Sequence, residues 1–249
     1  MRTFLTRTLA QLVIRNRGVA AVFLAIAISH SPLHAQQTLR ARVELVQSGR
    51  RVKDASNAVV WLTPLGTLPS DPPPQTSIPR LEQRDKAFHP SLVVVPVGGK
   101  VEFPNNDPFF HNVFSLFEGK RFDLGLYESG TTRFVRFDRP GISYIFCNIH
   151  AQMSAVVVAL STPYYGVSQA SGEVTIANVP PGRYQMQVFH ASARPEDLQS
   201  YTREVTVTGE AASLGALRLH ESDKLASHKN KYGRDYDPPN PDSPVYTRP

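Results

Sequence analysis

The sequence predicts an all-β protein built as two sandwiches, and three observations lead there. Short β-branched or aromatic runs bounded by Gly, Pro, Asn or Asp recur from residue 39 to residue 219. No window before residue 190 keeps a helical period with caps. Hydrophobic residues make up 41% of the 249 positions and charged residues 19%, which is enough apolar chain for one or two buried cores.

Residues 1–35 read as a secretory signal cut after Ala35. Arg2, Arg7, Arg15 and Arg17 form a basic region with no acid to answer them, an apolar run follows at 19–28, and Ser31-Pro32-Leu33-His34-Ala35 closes the segment. The apolar run is about half the roughly 20 residues that cross a bilayer, so the mature chain is expected to be periplasmic or secreted, with no membrane span. Whole-chain net charge is +6, but removal of the leader leaves 23 Lys and Arg against 21 acids. So even a balance lacks the concentrated basic face of a nucleic-acid binder.

Residues 36–63 are expected to form a hairpin, with strands 39–46 and 58–62 joined by polar residues 49–57. Residues 64–80 hold six prolines and form a linker. Residues 81–161 make the first sandwich, with strands at 91–96 and 100–103 around Gly98-Gly99, then 132–137, 142–147 and 154–160; residues 109–127 are irregular enough to hold a short helical turn. Residues 162–220 carry four more strands, at 172–177, 183–189, 203–207 and 214–219. Four strands are short of partners, so the N-terminal hairpin is expected to complete this second sandwich, with residues 81–161 inserted between its parts. Residues 221–249, polar and ending in five prolines within 12 positions, are expected to be a disordered tail.

The chemistry lies between two of the expected strands. Cys147 is the single cysteine, which excludes a disulfide framework. A lone cysteine is ordinarily a small buried hydrophobe. Here it opens Cys147-Asn148-Ile149-His150-Ala151-Gln152-Met153, a thiol, an imidazole and a thioether within seven residues. A chain with six histidines and two methionines beyond its leader makes that grouping a poor coincidence. A copper ion that alternates between two oxidation states needs soft thiolate for the reduced form and imidazole for the oxidised one; two His and one Cys in a trigonal arrangement with a distant axial Met supply both. The second His must come from elsewhere, and His111, in Phe110-His111-Asn112-Val113-Phe114, is placed to approach from a neighbouring strand. His89, His190, His220 and His228 have no such company. Met153 also fits a plain core residue at the start of strand 154–160. No nucleophile with a base, no paired carboxylates in a recognisable motif and no phosphate loop appear, which argues against an enzyme.

At these residues the chain resembles the cupredoxins, the plastocyanin-like blue copper proteins. The resemblance is carried by Gly98-Gly99-Lys100-Val101-Glu102-Phe103, Asn105 to Asp107 and His111-Asn112-Val113, and by Pro140 to His150. More narrowly, the Cys-Asn-Ile-His loop followed by Thr162-Pro163-Tyr164 and Val179-Pro180-Pro181-Gly182-Arg183-Tyr184 is similar to exported proteins labelled methylamine utilisation proteins, whose outer part looks like a carboxypeptidase-regulatory or transthyretin-like sandwich. The likeness implies a Greek-key cupredoxin sandwich and one type 1 copper, held by His111, Cys147 and His150 with Met153 axial. It places Asn112 behind the ligands, where polar contacts fasten the loop. It further implies single-electron transfer with a dehydrogenase or cytochrome, the electron leaving by a solvent-facing edge of His150. Only two residues separate His150 from Met153, fewer than in plastocyanin-type loops. A copper carrier or buffer without redox turnover would use the same ligands, and a structural or carbohydrate-contacting sandwich would need none of them.

Overall fold

Alternation along the first strand shows how the outer layer is made. In a computed structural model, which describes residues 36–66, 75–116, 119–208, 213–222 and 228–236, strand Gln37–Gln47 turns Leu39, Ala41, Val43 and Leu45 inward and its arginines outward. It pairs antiparallel with Glu173–Val179 and parallel with Ser213–His220, so an N-terminal strand is central to a sheet of C-terminal ones. Strand Val59–Pro64 lies in a second sheet between Tyr165–Val167 and Gly182–Phe189, and the latter pairs onward with Arg203–Val207. The two sheets close on one core that includes Leu39, Val43, Leu62, Tyr184, Met186 and Leu217.

Strands 39–46 and 58–62 were expected to pair as a hairpin; they stand in opposite sheets instead. The first strand turns at Ser48 and Gly49, both with positive φ, into the two-residue strand Arg50–Arg51, and the chain then crosses the core. Both strands aim apolar residues at the same interior, a demand met by facing each other and taking backbone partners from the C-terminal half.

The inserted segment forms a five-stranded sheet in the order Leu92–Pro96, Ser154–Leu160, Gly141–Cys147, His111–Ser115, Phe122–Tyr127. Lys100–Pro104 pairs with Thr132–Arg136, and a small hairpin, Glu82–Arg84 with Ala87–His89, adjoins them. The fold class is therefore all-β as expected, with a six-residue helix at Pro195–Ser200. Among the described residues no helix is long and apolar enough to cross a membrane. The helical turn expected within 109–127 is replaced by two strands: His111–Ser115 is buried at every position and so shows no alternation, and a positive-φ Gly125 and a register shift break the period of Phe122–Tyr127. The hairpin at 82–89 corresponds to no expected element.

Strand Ser154–Leu160 joins the two sandwiches. Ala155, Val157 and Ala159 enter the inner core, while Val156, Val158 and Leu160 pack on Val59 and Phe189 of the outer sandwich. Burial on both faces accounts for its unbroken apolar run.

The expected signal, residues 1–35, lies outside the described residues, as do residues 67–74 of the proline-rich linker and 237–249 of the tail. The expectation of a disordered tail does not hold for 228–236, which pack against the end of strand Gly141–Cys147 through hydrogen bonds and a ring stack. Polar side chains with no core of their own found fixed partners on another element.

Gly172 tests the chain-end sandwich. Its φ is +84°, its carbonyl accepts the Val43 N–H, and a Cβ there would sit 2.0 Å from the Val43 carbonyl oxygen. Gly172→Ala should destabilise the protein by more than about 1 kcal/mol, seen as a lower denaturant midpoint with one cooperative transition.

Candidate metal centre

Strand period builds the site. Cys147 stands opposite Val113 on the adjacent strand, and His111, two residues before Val113, shares its face, so the imidazole and the thiol point into the same interior. Strand Gly141–Cys147 ends at the cysteine, and its loop closes on itself: Cys147 N–H donates to Met153 O at 3.2 Å and Met153 N–H to His150 O at 3.1 Å. That closure carries His150 back over Cys147.

The three donor atoms form a triangle. His111 Nδ1 lies 3.5 Å from Cys147 Sγ, His150 Nδ1 lies 3.7 Å from it, and the two nitrogens are 3.2 Å apart. A point equidistant from all three is about 2 Å from each, close to the bond lengths of a first-row metal to imidazole and thiolate. All three residues are buried, and among the described residues they are the cluster of His, Cys and carboxylate side chains able to hold a metal ion.

The imidazole of His111 is fixed from behind. Its Nε2 lies 2.8 Å from Asp107 Oδ2, so Nε2–H donates to the carboxylate and Nδ1 keeps its lone pair for a metal. Asp107 is itself buried, and its oxygens accept the backbone N–H groups of Asp85 and Lys86 at 2.7 and 3.0 Å. Those two residues form the positive-φ turn of the 82–89 hairpin. Desolvation pushes the Asp107 carboxyl up, but these N–H donors and His111 outweigh it and hold the group below the usual carboxylate range. Asn105, also buried, accepts the Asp107 N–H and donates to the Phe109 carbonyl, which sets the path from Asp107 to His111.

Burial governs the ligands' protons. It lowers His111 against the pull of Asp107, and it lowers His150 to about 4, with the charges of His111 and Lys86 acting in the same direction. It raises the Cys147 thiol, opposed by backbone N–H groups of Asn112, Ile149 and His150. The metal-free centre is thus two neutral imidazoles and a thiol.

The other expected residues fall as follows. Met153 is fully buried in the core that also holds Cys147, and its backbone closes the ligand loop. Asn112 fastens the loop with its main chain, its carbonyl accepting the Asn148 N–H at 2.9 Å, while its side chain donates to Asp123 and the Gly125 carbonyl. His150 presents no solvent-facing edge: it is 5% exposed, and the Phe109 ring centroid lies 5.5 Å from its own. Phe109 stands equally close to His111, so one aromatic ring covers both imidazoles. His190 and His220 sit elsewhere, against Ser56 and Asp197. Sequence reasoning gave Asp107 and Phe109 no role of their own; the signal was an acid four residues before His111 in a stretch with no other acid.

No family model matches the chain, and no curated protein does. Solved structures with similar parts include the Cu-containing nitrite reductase NirK of Thermus scotoductus SA-01, at 22% identity over 34% of this chain and 23% of that one, TM-score 0.33. This chain thus spans about a quarter of that enzyme. A purple cupredoxin of Nitrosopumilus maritimus matches at 24% identity over 30% of this chain and 84% of its own, TM-score 0.28. A Cu(I) amicyanin variant matches at 17% identity over 32% and 80%, TM-score 0.31.

Asp107→Asn replaces the acceptor behind His111 and should weaken metal binding by about 10-fold to 100-fold in a chelator competition while the fold is kept. Acid should destabilise the metal-free protein. His150 binds its proton near 6.5 when unfolded but only near 4 when folded, so unfolding takes up protons and stability falls as pH drops through that interval. Melting curves from pH 7 to pH 4 should show the fall, and His150→Gln should flatten it.

Proposed function

We propose that the protein is an exported carrier of single electrons that would hold one type 1 copper through His111, Cys147 and His150, with the Met153 thioether as a weak fourth donor. The observation that carries this reading is the buried triangle of one thiol and two imidazole nitrogens with metal-sized separations. Copper bound there would supply one electron at a time by alternating between its two oxidation states. Cys147 would hold it as the thiolate and so would give up its thiol proton. Asp107 keeps His111 in the tautomer that offers Nδ1, and its negative charge offsets part of the charge of a bound cation. Phe109 and the closed loop keep water from the donors. Sheet strands on either side hold the donor atoms in one arrangement, which suits a group that must change charge with little movement. The leader read from residues 1–35 supports export, and the redox partner would be a dehydrogenase or a cytochrome.

The chain from residue 36, given Cu(II), should bind one equivalent and show an intense visible thiolate-to-copper band with a reversible voltammetric wave. Cys147→Ser should abolish the colour. A colourless complex, or a preference for zinc in a closed tetrahedral site, overturns the reading; a coloured complex without reversible voltammetry replaces it with copper carriage. Met153→Leu should keep the band and raise the potential if the thioether is axial. An unmoved potential leaves a three-ligand centre.

A further inference from the structure

Residues 228–236 reach the metal centre from far along the chain. Tyr236 O–H donates to the Cys147 carbonyl at 2.8 Å, across 89 positions. Lys231 makes two contacts: its backbone N–H donates to Asn148 Oδ1 at 3.0 Å, and its ammonium to Asp123 Oδ2 at 2.9 Å. Asp123 in turn accepts from the Asn112 side chain at 2.6 Å, and the Asn112 carbonyl accepts the Asn148 N–H. Asn148, Lys231, Asp123 and Asn112 therefore close a ring of hydrogen bonds. The ring binds together the residue that follows Cys147 and the residue that follows His111. On the other side of Cys147, the His228 ring stacks on Phe146 with centroids 4.0 Å apart, and Tyr236 meets His228 edge-on at 5.3 Å.

We infer that residues 228–236 are a strap that holds Cys147 and His111 at bonding separation, with Tyr236 and Lys231 as positioning residues. Three consecutive residues, Phe146, Cys147 and Asn148, each take a contact from the strap at the point where the ligand strand leaves its ladder. Strand pairing holds Cys147 on one side through Val113, and beyond it the backbone of the loop is tied by its own closing bonds, by the Asn112 carbonyl and by the strap. Ordering a polar segment across so long a loop costs entropy, and the strap's contacts converge on this one turn. The proposal concerns the same ligands as the copper reading, and it is tested first without metal.

Cys147 is the single thiol, fully buried, so its labelling by a thiol reagent in the metal-free full-length chain reports opening of the loop. Tyr236→Phe keeps the ring and removes the hydroxyl; Lys231→Met removes the ammonium. Each should speed labelling about fivefold, the loss of one hydrogen bond, while the melting temperature falls by no more than about 4 °C. Arg234→Ala, an exposed strap residue, should label like wild type. In copper-loaded protein the first two variants should also shift the visible band. Labelling rates equal to wild type in both variants, or an equal acceleration in Arg234→Ala, overturn the strap. A colourless wild type with accelerated variants overturns the copper reading and supports the strap.

Discussion

Three donor atoms taken out of water and held 3.2 to 3.7 Å apart set the terms for everything around them. So close together and without solvent, a thiol and two imidazoles coexist only if all are neutral or a cation lies among them. Burial enforces the neutral state by lowering both histidines and raising the cysteine. A metal ion bound there would take the place of one thiol proton.

Each surrounding feature limits how the donors can move. The carboxylate beside them, Asp107, is itself held by two N–H groups of a tight turn, so it is fixed before it fixes His111. Phe109 covers both imidazoles, and Asn112 links the strand that starts with His111 to the loop that follows Cys147. His150 is thereby left 5% exposed, against the Phe109 ring.

The second sandwich bears on the centre through one strand. Ser154–Leu160 leads away from the ligand loop with one face in the inner core and the other against Val59 and Phe189, so the loop is anchored to a strand that neither domain can release alone. Val59 and Phe189 come from the segments before and after the insertion, which makes the outer sandwich a clamp on both entry and exit of the metal-binding segment.

By itself, the sequence determined the all-β class and pointed to the grouping of Cys147, His150 and Met153, because both rest on local signals: β-branched runs between turn residues, and a thiol, an imidazole and a thioether within seven positions. Strand 154–160 was legible for the same reason. What only the tertiary structure decided are pairings between distant residues. Strands 39–46 and 58–62 look like hairpin partners in sequence but face each other across a core, since apolar alternation fixes which face is buried and not which strand supplies the backbone bonds. His111–Ser115 hid as an irregular segment because burial on all sides erases alternation. Asp107 gains its meaning from a turn 21 and 22 residues away, and the tail from contacts more than 80 residues away. A polar side chain does not announce its partner in composition or period; its hydrogen bonds exist only once the chain has brought the two together.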